Sequence, residues 1–247
     1  MIYGLAWTHS SHTYLKGFAD AIVPLNGTPQ QKTEALLGWF RQEPPRNDGV
    51  VEGAANLRDP VNIVQNESLL KMCGSASNAF LNLADAAGLK ARRLLLLQHS
   101  GGTSHVVAEV EWDDRWVVVD PQHGHVFRDR AGRALSKEEL RDPEVFQDAI
   151  SRIPGYNPEY TFARTAHIHL RRIPRLGGVV HSTLDWLDPS WQEAFDWGYF
   201  AENPSLWPTL LSLPLLLLAL LLRLVVGRYN RTERHTKPLS LEETVQV

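Results

Sequence analysis

The sequence predicts an α+β domain followed by one C-terminal transmembrane helix, and three observations carry that reading. Two amphipathic segments precede a lone cysteine that opens a third helical pattern; two alternating strands joined by an Asp-Asp turn follow; and residues 206–227, "LWPTLLSLPLLLLALLLRLVVG", are apolar apart from Thr209, Ser212 and Arg223. Helices ahead of an antiparallel meander indicate α+β rather than parallel α/β architecture. A chain of 247 residues with 43% hydrophobic side chains can bury an ordinary core. A formal net charge of -3 provides no basic field for nucleic acid, so that partner class is not expected. One cysteine excludes an internal disulfide and a cysteine-based zinc cluster.

The first amphipathic segment is "HTYLKGFADAIVPLNG" and the second "TPQQKTEALLGWFRQEPP", in which Thr28 suits an N-cap, Pro29 the first helical position, and Pro44 and Pro45 a stop. A polar stretch over 46–72 shows no sustained period and reads as a long surface segment or groove wall. From Cys73 onward Ala76, Phe80, Leu83, Ala84 and Ala87 share one helix face, and Gly88 is placed to end that helix. Strands follow: "ARRLLLL", then "HVVAEVEW" and "RWVVVD" around Asp113 and Asp114. "SKEE" at 136–139 has capping-box form and predicts a short helix.

Register follows from the turn. If Asp113 and Asp114 are its two central residues, Trp112 faces Arg115, Val107 faces Asp120 and His105 faces Gln122. His105, Val107, Glu109 and Glu111 then share a sheet face with Trp116, Val118, Asp120 and Gln122, and His105 lies diagonally from Asp120 at roughly 7–8 Å between backbones, within reach of a hydrogen bond. The opposite face, with Val106, Ala108, Val110, Val117 and Val119, has the composition of a core. Glu109 and Glu111 are expected to be exposed strand carboxylates.

A thiol is a useful nucleophile only as thiolate, and both a helix N-terminus and an adjacent imidazolium lower its pKa. Cys73 alone would more often be a small buried hydrophobe, so its significance rests on a base and an orienting acid being available. His105 and Asp120 supply them, in the order nucleophile, base, acid. The Cys73 N–H is one candidate oxyanion donor; Gln65 and Asn66 are weaker candidates, better read as solvated amides. His123 with His125, and His167 with His169, are i, i+2 pairs that could meet a metal, but no third ligand follows by spacing, so core or solvated histidines are expected there.

"CGSASNAFLNLADAAGLKARRLLL" and "SHVVAEVEWDDRWVVVDPQHG", with their spacing, resemble the transglutaminase-like superfamily over roughly residues 15–125. The resemblance implies a papain-like α+β core with Cys73 as nucleophile, His105 as general base and acid, and Asp120 fixing the imidazole tautomer. Met72 stands where many relatives have a small residue or an acid, and the loop at 98–104 is short. The implied activity is acyl transfer or hydrolysis at amide bonds of a protein or peptide substrate, through a Cys thioester and with no cofactor or metal. A catalytically silent binding or assembly module and a thiol peptidase are the alternatives.

The expected organisation is a transglutaminase-like domain over 1–150, an extension and juxtamembrane segment over 151–205, the membrane helix over 206–227 and a basic cytoplasmic tail over 228–247. A helix of ~20 apolar residues matches the ~30 Å hydrocarbon core. Arg228, Arg231, Arg234 and Lys237 after the span, against acidic residues before it, orient the domain extracytoplasmically, although "MIYGLAWTHSSHTYL" shows no signal-peptide pattern.

Overall fold

The computed structural model describes residues 2–42, 58–99, 102–168, 177–189, 191–194 and 206–236. Helix α1 spans Ile2–Ile22 and α2 spans Pro29–Gln42. The start of α1 is helical although the sequence marks a helix only from His12, and its threonine hydroxyls are satisfied within the helix: Thr8 Oγ1 donates to the Gly4 carbonyl at 2.9 Å and Thr13 Oγ1 to that of His9 at 2.8 Å. Helix α2 begins with a reciprocal cap, the Gln31 N–H donating to Thr28 Oγ1 at 3.2 Å and the Thr28 N–H to Gln31 Oε1 at 2.9 Å. Helix α3, Pro60–Gln65, is capped by Asp59, and a short 3-10 turn at Glu67–Lys71 leads to α4, Cys73–Ala86.

Helix α4 is the centre of the molecule. Beyond the apolar face expected from its period, Ser75, Ser77, Asn78, Leu81 and Asn82 are also buried, since α1, α2 and α3 cover one side and the sheet the other. Its buried polar side chains find partners on the sheet and within the helix: Ser77 Oγ donates to the Val106 carbonyl at 3.0 Å and Asn82 Nδ2 to the Asn78 carbonyl at 2.9 Å. Gly88, with φ +74, terminates it.

The sheet contains β1 (Ala91–Leu97), β2 (Thr103–Trp112), β3 (Arg115–Asp120), β4 (His125–Val126) and β5 (Thr165–Ala166), all antiparallel in the order β4-β3-β2-β1-β5. The β2–β3 register is the expected one, from Trp112 opposite Arg115 to Ala108 opposite Val119. Asp113 and Asp114 adopt φ 52 and 57, the two-residue turn whose twist matches the strands.

Each sheet face carries a core. Phe40, Phe80, Leu83, Val110, Val117 and Val119 join the sheet to α2 and α4. Leu96, Val107, Val118, Phe127, Phe146 and Phe162 form the second core on the face that also carries His105 and Asp120. Each such side chain contributes roughly 1.5–3 kcal/mol by leaving water. The "SKEE" cap forms, the Ser136 N–H donating to Glu139 Oε2 at 2.9 Å, but only a 3-10 turn over Glu139–Arg141 follows. Asp142 then caps α5, Pro143–Ile150. Tyr156 and Phe162 continue this core past residue 150.

Glu109 differs from expectation. It is fully buried, because residues 127–167 fold over the sheet face that the strands alone leave open. Its Oε2 accepts from Arg92 Nε at 2.8 Å and pairs with His167 Nε2 at 2.7 Å, while Arg92 lies 4.0 Å over the Trp116 ring. Glu111 sits near the edge and pairs with Lys90 at 2.8 Å.

The transmembrane helix is corrected. The leucine run is helical, within α8 (Leu206–Thr236), which follows α6 (Gly177–Leu187) and α7 (Trp191–Ala194), but among the described residues no helix is long and apolar enough to cross a membrane. Pro214 lies inside the helix, and α8 packs against α1. His169 and residues 237–247 of the expected tail lie outside the described residues.

Candidate active site

Cys73 is the first residue of α4 and is half-buried. Met72, just outside the helix, has extended backbone (φ -90, ψ 124), and its carbonyl accepts the first bond of α4 from the Ala76 N–H at 2.9 Å. This turn sets the thiol beside β2. The turn before it is tied down by Gln122 Nε2, which donates to the Lys71 carbonyl at 2.9 Å.

His105 is 1% exposed and Asp120 0%, so their pairing takes place out of water. His105 Nε2 lies 2.7 Å from Asp120 Oδ2, and the imidazole also hydrogen-bonds the Cys73 thiol. With Nε2 committed to the carboxylate, Nδ1 is the nitrogen presented to sulfur. The structure therefore brings together all three residues singled out from the sequence.

Electrostatics follow from this order. Burial pushes the Cys73 thiol up, but the hydrogen bond to His105, the imidazole's charge and the backbone N–H groups of Val106 and Gly74 outweigh it, and the net shift is downward. Burial likewise opposes a charged His105; the bonds to Asp120 and Cys73 overcome it and raise the imidazole to about 9. For Asp120, burial is outweighed by bonds from His105 and His123, and the carboxyl falls to about 2. Cys73 and His105 are thus favoured as a thiolate–imidazolium pair.

Three further residues shape the site. His123 Nδ1 lies 3.0 Å from the same Asp120 Oδ2, and its N–H donates to Asp120 Oδ1 at 3.1 Å. Tyr160 stacks on His105 with ring centroids 4.4 Å apart and planes 8° from parallel, and Tyr156 meets the same imidazole edge-on at 6.0 Å. These contacts hold the ring in one plane. His123 carried a sequence signal, following the Asp-Pro step after β3, but spacing alone placed it among core or solvated histidines. The two tyrosines, in a turn-rich segment far along the chain, carried none.

Of the weaker candidates, Gln65 is exposed at the end of α3, and Asn66 Oδ1 accepts from Ser68 Oγ at 2.7 Å. His167 belongs to the Glu109 cluster, and His125 lies half-buried in β4. Among the described residues one group could hold a metal: His105, Asp120 and His123, whose ligand atoms lie within 4.8 Å of one another. Hydrogen bonding already accounts for that convergence, because both imidazoles meet one carboxylate oxygen.

What the arrangement can do chemically is defined: a stabilised sulfur nucleophile beside a proton-carrying imidazole whose tautomer is set by a buried carboxylate. Searches of protein-family models, of curated proteins and of solved structures found no match to this chain.

Proposed function

We propose that this protein is a thiol enzyme that transfers or hydrolyses acyl groups at amide bonds of a protein or peptide, as its resemblance to transglutaminase-like proteins implies. The observation that carries this reading is the hydrogen-bonded chain Cys73–His105–Asp120 at the start of α4. The Cys73 sulfur attacks the amide carbon; His105 gives its proton to the departing amine as the C–N bond breaks, leaving a thioester. Water or a primary amine then attacks the thioester, passes its proton to His105 and releases the sulfur as thiolate. The Cys73 N–H lies in the first turn of α4, whose N–H groups a helix does not pair internally, and serves as donor to the developing oxyanion. Asp120 keeps the imidazole oriented throughout.

One observation favours a second reading, a module that retains the residues without turnover: His105 is enclosed, with Tyr160 stacked on its face. The two readings separate by experiment. The chain is incubated with glutamine- and asparagine-rich peptides, with and without a primary amine, and followed by intact mass. A thioester adduct or product that disappears in Cys73→Ala supports the enzyme; turnover unchanged in Cys73→Ala, or no reaction together with inert Cys73 towards iodoacetamide, overturns it.

A further inference from the structure

A cavity of about 300 Å³ lies between α2, β4 and α5, on the far side of the loop that carries His123. Its floor includes the buried side chains of Leu37 and Ile153, and its rim carries Arg41, Arg128 and Arg152. The carboxylates nearby are already engaged: Glu34 Oε1 takes Arg128 Nη2 at 2.5 Å, and Asp148 takes Arg130 Nε and Arg152 Nη2 at 2.6 Å each. Arg128, Arg130 and Arg152 are thus taken up by two carboxylates, and Arg152 Nη1 also donates to the Arg128 carbonyl at 2.8 Å, whereas Arg41 has no carboxylate partner among the described residues.

The positive rim has an effect on a neighbour. His125 lines the cavity, and its imidazole is held below its ordinary pKa by burial first and then by the charges of Arg41 and His123, against a smaller opposing influence of Asp120. The wall is also closely fitted. Gly124 has φ +65, and a Cβ there would collide with Arg41 Cγ and come within 2.9 Å of the Leu37 carbonyl, so the loop rests directly on the last turn of α2.

We infer that this cavity binds a small organic anion, its carboxylate or phosphate meeting Arg41 and its apolar body lying on Leu37 and Ile153, with Arg128 and Arg152 held on the rim by Glu34 and Asp148. A volume of this size suits a small molecule, and an apolar floor with a few convergent charges is the usual construction of such sites. Arginine offers the fork that matches a carboxylate or phosphate. Inorganic phosphate would meet the rim but leave the floor unused. The inference stands whether or not Cys73 is a catalytic nucleophile.

The test uses the full chain with benzoate, phenyl phosphate, inorganic phosphate and benzyl alcohol, titrated by calorimetry and by NMR of the His125 ring. Both aromatic anions should bind saturably, about tenfold or more tighter than inorganic phosphate, since the ring removes more than two methylene-equivalents from water. Arg41→Ala, on an exposed residue, should weaken them about tenfold or more, as loss of a charge-assisted pair does. In the wild-type chain their binding should raise the His125 pKa, because it neutralises the rim. Equal affinity for inorganic phosphate, equal binding of benzyl alcohol, no effect of Arg41→Ala, or an unmoved His125 titration would each overturn the proposal.

Discussion

Asp120 Oδ2 accepts from two imidazoles at once, His105 Nε2 at 2.7 Å and His123 Nδ1 at 3.0 Å. A carboxylate buried at 0% exposure keeps its charge only because both rings, and the His123 backbone N–H, face it. The two histidines are nevertheless unequal, since only His105 reaches Cys73.

His123→Ala removes one support of Asp120 and leaves the His105 bond in place. It should cost about 1–3 kcal/mol of stability in urea unfolding, the range for unpairing a buried acceptor, and reduce the Cys73 alkylation rate less than His105→Ala does. Equal loss of Cys73 reactivity in the two variants would show that His123 acts directly on the thiol.

The pH dependence has a defined sign. His105 is raised from 6.5 to about 9, so its contribution to stability is fully present below about pH 6.5 and is lost as pH rises through about 9. Asp120 is lowered from 3.8 to about 2, so its contribution is present above about pH 4 and is lost as pH falls through about 2. Amide turnover needs imidazolium and thiolate together and should fall on an alkaline limb near pH 9. Asp120→Asn should move that limb to lower pH. A limb unmoved in Asp120→Asn, in a pH–rate series with folding monitored by circular dichroism, would contradict the pairing.

Glu109 meets two partners in the second core, the Arg92 guanidinium at 2.8 Å and the His167 imidazole at 2.7 Å. Glu109→Ala strands Arg92 in a buried site and should destabilise the chain by roughly 3–5 kcal/mol, read from the urea midpoint. A loss below about 1 kcal/mol would place the pair in the class of solvent-screened bridges.

Tyr156 presents a buried hydroxyl with no hydrogen-bond partner among the described residues; burial and then the charge of Asp120 push its pKa upward, so it stays protonated. Tyr156→Phe removes an unsatisfied polar atom and keeps the ring contacts with His105 and Phe127. Stability should be unchanged or higher by up to about 1–2 kcal/mol. A loss of that size in thermal unfolding would mean that the hydroxyl has a partner in solution.

The parts legible in the sequence were those governed by local rules. The β2–β3 register followed from one Asp-Asp turn and period-2 alternation, and it set His105 opposite Asp120's neighbourhood before any tertiary contact was known. Cys73 at the start of α4 followed from the apolar period beyond it. What could not be read depended on packing between distant segments. Glu109 is a strand carboxylate by pattern and a buried ion pair only because Arg92 and His167 arrive from other strands and loops. Tyr156 and Tyr160 reach His105 from a turn-rich segment with no periodicity. The leucine run of α8 signals a helix correctly, but hydropathy alone extended it to a membrane span that the described helix does not provide.

The central claim is that His105 holds Cys73 as a thiolate at the start of α4. Its most direct test is the thiol pKa, from thiolate absorbance or the pH dependence of iodoacetamide alkylation, in the wild-type chain and in His105→Ala. A wild-type thiol titrating clearly below the ordinary value of 9.0, and rising in His105→Ala, is the predicted result. A thiol titrating at or above 9.0 and unmoved by His105→Ala would contradict it.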